Sequence, residues 1–198
     1  MHYAHTGKQL DGSDWQPLKE HLQQVARLAQ ERAKAFHAGD WAYLIGLLHD
    51  LGKYSKEFQA RLQGNPAKAD HATAGAKVVM NHLKVLYGQS NQVKAFAKLL
   101  AFAIAGHHAG LANGDGEGKE RSTLKQRLGL KFGEHLPELD ETWKQEIVLP
   151  SSLLPLSLNQ RQLGCCRFQR HPVKVESETG EWLWEQDGNS AGSSSLRP

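Results

Sequence analysis

An apolar run from Leu44 to Leu48 hands a His49–Asp50 pair directly to a Leu51-Gly52-Lys53 turn. A run this apolar predicts a helix buried over most of its circumference, from Trp41 to His49. Its end therefore carries an imidazole and a carboxylate into the interior. Burying a carboxylate without partners costs on the order of several kcal/mol. The fold must bring partners to it, and the sequence holds candidates in three other places. His21 lies upstream, Asp70-His71 precedes the small residues Ala72-Thr73-Ala74-Gly75-Ala76, and His107-His108 stands between Gly106 and Gly110. Five histidines and an aspartate in these settings read as a divalent-metal centre with His21, His49, Asp50, His71, His107 and His108 as ligands.

The flanking pattern is helical throughout. Ser13 and Gln16 before Pro17 have the form of a capped start. Leu18, Leu22, Val25, Ala26 and Ala29 then recur at helical spacing, predicting a helix to about Phe36 with His21 beside its apolar stripe. Asp40 is placed to cap the His49 helix, and Gly52 has the position of a left-handed C-terminal glycine. Lys53 is expected to project from the turn beside the site, in reach of a phosphate. Ser55 opens a short helix, Asp70 caps the next, and Val93 to Ala105 forms another that ends at His107-His108. His82 has no comparable setting and reads as structural. Asn113 to Gly118 reads as a mobile lid, and Ser122 as the cap of a basic segment through Leu130.

Composition narrows the class. At 198 residues, with 39% apolar and 23% charged residues, one globular domain is expected over 1–150. No run reaches the eighteen or so apolar residues of a membrane helix. The start, Met1-His2-Tyr3-Ala4-His5, has no secretory pattern, so the protein reads as cytoplasmic, without a membrane partner. Cys165 and Cys166 are neighbours and make neither a disulfide framework nor a zinc motif. From Lys53 to Lys131 there are 13 Lys and Arg against 5 Asp and Glu, a basic middle suited to a polyanionic substrate. Residues 151–198 read as an irregular tail: Pro150 to Pro155 is linker-like, and 156–198 show no sustained helical period, with a short strand where Trp182 and Trp184 alternate with other residues.

Taken together, His21, His49-Asp50-Leu51-Gly52-Lys53, Asp70-His71-Ala72-Thr73-Ala74-Gly75-Ala76 and Ala105-Gly106-His107-His108-Ala109-Gly110-Leu111 resemble the HD-superfamily nuclease of CRISPR type I interference. The resemblance covers roughly residues 1–130. It implies an all-α fold and one or two divalent transition-metal ions held between helices: Mn, Fe, Co or Ni, with Mg as a further choice. Imidazole-rich ligation favours such metals over Mg or Ca. By motif, Asp50 would bridge two ions, His71, His107 and His108 completing one site and His21 and His49 the other. Asp50 and Lys53 would be the catalytic pair, with Lys53 near the scissile phosphate.

The implied activity is cleavage of single-stranded DNA, endonucleolytic and 3′→5′ exonucleolytic. The implied partners are the crRNA-guided Cascade surveillance complex and a helicase supplied in trans. The resemblance also implies a further ligating Asp from a late helix. Beyond Asp140 the sequence has only Asp187, outside any such motif. The tail therefore reads as truncated or frame-altered near residues 155–165, leaving one ion at Asp50, His71, His107 and His108. Two other readings use the same residues: a phosphohydrolase of nucleotides or cyclic dinucleotides, and an inactive scaffold.

Overall fold

The computed structural model describes residues 1–153 apart from 10, 67–68, 109 and 114–122, together with the backbone of 175–176 and 182–183. Two compact units divide at Leu154. In the first, β1 (Tyr3–His5) pairs antiparallel with β2 (Gln16–Pro17), and seven α-helices follow among the described residues. These are α1 (Leu18–Ala33), α2 (Gly39–Leu48), α3 (Lys56–Leu62), α4 (Ala72–Tyr87), α5 (Asn91–Gly106), α6 (Leu124–Gly129) and α7 (Thr142–Glu146). The fold is all-α, as the resemblance implies. In the second unit the described backbone is one antiparallel pair, β3 (Val175–Glu176) with β4 (Trp182–Leu183). The rest of the tail, Asp187 included, lies outside the described residues.

The apolar stripes decide which helices meet. α1 packs on α2, with Leu18, Leu22, Ala26, Leu44, Leu47 and Leu48 buried, and α4 packs on α5, with Val79, Leu83, Leu100 and Ile104 buried. The two pairs join because α2 also packs on α4 and α5. No residue of α2 from Trp41 to Leu48 is exposed, in line with its all-round apolar sequence. Its C-terminal end is thus delivered to the centre of the bundle. None of the described helices is long and apolar enough to cross a membrane.

Local signals hold in some places and yield in others. Ser55 and Ser90 cap α3 and α5 by accepting the Phe58 and Val93 amides. Asp70 receives the Ala72 and Thr73 amides and the Thr73 hydroxyl, fixing the start of α4. The expected Ser13 cap is not used. Asp14 accepts the Lys8 and Gln9 amides, and α1 starts after an extended Pro17. Asp40 lies inside the first turn of α2 and accepts from Gln30 instead of capping. Thr123, with Gln126, forms the capping box of α6. Ser122 and residues 114–118 of the expected lid lie outside the described residues.

Gly52 departs from expectation in an informative way. It is not left-handed; it lies in a 3-10 turn, Leu51–Tyr54. What it supplies is space. A side chain there would collide with the His71 backbone, and the Gly52 amide donates to the His71 carbonyl at 3.1 Å. Gly75 does the same one turn into α4, where a Cβ would meet the Leu48 carbonyl oxygen. These two contacts set the start of α4 against the end of α2, and so His71 against Asp50.

Candidate metal centre

Asp50 is 3% exposed, and every histidine predicted as a ligand turns Nε2 toward its carboxylate. On Oδ1 are His107 at 3.1 Å, His71 at 3.4 Å and His108 at 3.8 Å. On Oδ2 are His49 at 3.2 Å and His21 at 3.3 Å. His21 and His49 also meet each other, Nε2 to Nε2, at 3.2 Å.

Helix ends explain much of this convergence. The last carbonyls of a helix have no partner within it. His49 and His107 each stand just past a helix, and each donates Nδ1–H to the carbonyl three residues back, Gly46 at 2.8 Å and Ile104 at 2.7 Å. His21 Nδ1 donates to Gln16 Oε1 at 3.2 Å, and the Ala69 backbone accepts from His71. A carbonyl oxygen only accepts, so these contacts commit the Nδ1 proton and aim Nε2 at the centre.

That arrangement suits a metal cation. An imidazole whose Nδ1 proton is committed can give Asp50 a hydrogen only when doubly protonated; otherwise a lone pair faces an anion. Burial pushes the Asp50 carboxyl up, but the imidazoles of His107, His21 and His49 crowded on it outweigh burial and hold it well below the usual carboxylate range. Burial pushes the His71 imidazole down to about 4, so it stays neutral at physiological pH. Its Nε2 is buried and makes no hydrogen bond. An orphaned imidazole nitrogen beside a carboxylate and more imidazoles fits a transition metal. Asp50, His71, His107 and His108 offer ligand atoms all within 4.8 Å of one another, and so do His5, His21 and Asp50.

Lys53 differs from expectation. It is 3% exposed, and its Nζ donates to Asp50 Oδ2 at 2.9 Å and to the Ala4 carbonyl at 3.0 Å. The turn directs it inward, where the carboxylate and the N-terminal strand hold it, so it holds Asp50 and is not a surface cation awaiting phosphate. The exposed cation at the site is Arg61. It lines a cavity of about 490 Å³ with His5, Phe58, Leu62, Lys53, His71 and His108. His108 is 58% exposed at its mouth. A second cleft, about 460 Å³ between α4 and α5, includes none of the centre's residues. His82 joins neither; it bonds the Pro150 carbonyl at 3.0 Å, the structural role expected of it.

Local pattern misses four contributors. Gln16 reads as a capping partner but orients His21. Arg127 reads as one of several basic residues but reaches across the bundle. It donates to Thr73 Oγ1 at 2.8 Å and the Ala105 carbonyl at 2.7 Å, beside His71 and His107. His5 and Arg61 carry no motif. A histidine five residues into the chain is the one signal that a search for clustered imidazoles would have retained.

A search of curated proteins returns no match for this chain. Residues 4–164 match the sequence model of the family described as Cas3, HD domain. That span contains every histidine around Asp50 and most of the chain. The chain therefore belongs to the Cas3 HD-domain family, the divalent-metal-dependent phosphodiesterases that act as nucleases on DNA in type I CRISPR defence.

Proposed function

We propose that this chain cleaves single-stranded DNA, endonucleolytically and 3′→5′, at an Asp50-centred site holding one or two Mn, Fe, Co or Ni ions. The observation that carries the reading is one buried carboxylate met on both oxygens by imidazole nitrogens, at the edge of a solvent-open cavity. His71, His107 and His108 would hold an ion with Asp50 Oδ1, and His21 and His49 one with Oδ2. Bound there, such ions acidify water and neutralise charge on the phosphoryl oxygens. Asp50 offers each of its two oxygens to a separate group of histidines, and Lys53 keeps it from rotating. The carbonyls of Gly46 and Ile104 and the Gln16 amide keep three rings in the ligating orientation. Arg61, at the rim, offers a phosphate its planar fork of donors.

The exposed His5, His108 and Arg61 leave the cavity open on the side a polymer would approach. A mononucleotide enzyme is better served by an enclosed pocket. That favours a strand over a free nucleotide as substrate. We place the function in residues 1–150 and assign it to the cytoplasm, with Cascade delivering the DNA and a helicase acting in trans.

The test is cleavage of end-labelled single-stranded DNA by metal-stripped protein, restored with Mn, Co, Ni, Fe or Mg, beside Asp50→Ala. Transition metals are expected to restore cleavage, and Asp50→Ala to remove more than the roughly 10–100-fold that outer-sphere substitutions cost. Turnover of nucleotides or cyclic dinucleotides without strand cleavage would overturn the substrate. Metal bound with no turnover would make the chain a scaffold.

A further inference from the structure

The N-terminal strand is tied to the centre more firmly than a chain end needs. Leu18 donates its amide to the His2 carbonyl at 2.8 Å. The Gln59 side chain acts as a strand neighbour, accepting from the Tyr3 amide at 3.0 Å and donating to the Tyr3 carbonyl at 2.9 Å. The same amide donates to the Lys53 carbonyl at 2.7 Å, and Lys53 Nζ holds the Ala4 carbonyl. Ala4 is 1% exposed whereas His5 is exposed, and the ribbon has a register shift between Tyr3 and His5. In the β1–β2 register His5 lies opposite Gln16, the residue that orients His21. The ring of His5 accordingly meets that of His21, centroids 5.0 Å apart and nearly perpendicular.

This position has a chemical consequence. His5, His21 and Asp50 each offer a ligand atom within 4.8 Å of the others. Ligands of one ion at about 2.1 Å stand at most about 4.2 Å apart, so closing the set takes about half an ångström of side-chain movement. An exposed imidazole on a fixed strand can supply that by rotation about χ1 and χ2. The Oδ1 group has three imidazoles beside the carboxylate, whereas without His5 the Oδ2 group has only His21 and His49.

We propose that His5 is a ligand of the ion at Asp50 Oδ2, alongside His21 and His49. It rests on the reading of the cluster as a metal centre. The strand that carries His5 is then part of the site, and the second ion is bound only where the β1–β2 ribbon is docked.

The test is Mn(II) and Co(II) binding to the metal-stripped full chain, by calorimetric titration and by metal analysis after gel filtration, for wild type, His5→Ala, His5→Asp and His107→Ala. Wild type is expected to bind two ions, and His5→Ala to lose one or bind it at least tenfold more weakly. His5→Asp, which puts a carboxylate ligand in place of the imidazole, should recover it. His107→Ala should weaken the other ion. Equal stoichiometry and affinity in wild type and His5→Ala would overturn the role of His5 while leaving the metal centre standing. No ion bound by wild type would overturn both. Circular dichroism of each variant separates ligand loss from unfolding, and His5→Ala that unfolds is replaced in the comparison by His5→Gln, read against the same two outcomes.

Discussion

The two faces of the Asp50 carboxylate are assembled by different means. At Oδ1, His71, His107 and His108 come from helix ends, the start of α4 and the end of α5. One residue, Arg127, braces both by bonding Thr73 and the Ala105 carbonyl, with Asp70 at 3.6 Å. At Oδ2 the parts are scattered: His21 within α1, His49 after α2, Lys53 in the following turn. The N-terminal strand is bonded to that last residue. The first face is built of short, regular geometry under one clamp. The second depends on several long-range contacts, and Lys53 already puts a positive charge on it.

The sharpest way to break this contrast is at Lys53. Lys53→Met removes one partner of a buried ion pair, which costs about 3–5 kcal/mol in such settings. Urea unfolding of the metal-free chain should show a loss of about that size. With saturating Mn(II) the loss should shrink, because the ion supplies the counter-charge to Asp50. An equal loss in both conditions would mean that Lys53 serves the Ala4 carbonyl and the ribbon, not the carboxylate.

Arg127→Leu tests the other face with a smaller effect. It leaves the Ala105 carbonyl without its side-chain donor, at a cost of about 1–3 kcal/mol. Calorimetric titration should show the Oδ1 ion weakened by roughly 10–100-fold and the Oδ2 ion little changed. Equal weakening of both ions would show that the faces are not separately held.

The gentlest probe is pH. His71 titrates near 6.5 when unfolded and near 4 in the metal-free fold, because burial opposes its charged form. Its contribution to stability is therefore complete above pH 6.5 and is lost as pH falls toward and through 4, where the unfolded chain takes up a proton that the folded one excludes. Urea midpoints of the metal-free chain should fall over that window, by no more than about 1.4 kcal/mol per pH unit from this one group. His71→Gln should flatten the slope. An unchanged slope would place the acid sensitivity elsewhere.

By itself the sequence determined the main helices and which histidines gather around Asp50. Apolar spacing marks α1, α2, α4 and α5, and a histidine just past a helix end meets free carbonyls that aim its ring. Both follow from interactions within a few residues, so they are legible locally. The tertiary structure alone decided which way Lys53 turns, why Gly52 is glycine, that Gln16 and Arg127 reach the residues around Asp50, and that His5 stands beside His21. Lys53 reaches Ala4 across 49 residues and Arg127 reaches Thr73 across 54. A lysine after a helix or an arginine in a basic segment has the same local pattern whether it faces water or a buried carbonyl. Only the docking of distant segments, which removes water from one side of the residue and presents an acceptor there, distinguishes the two.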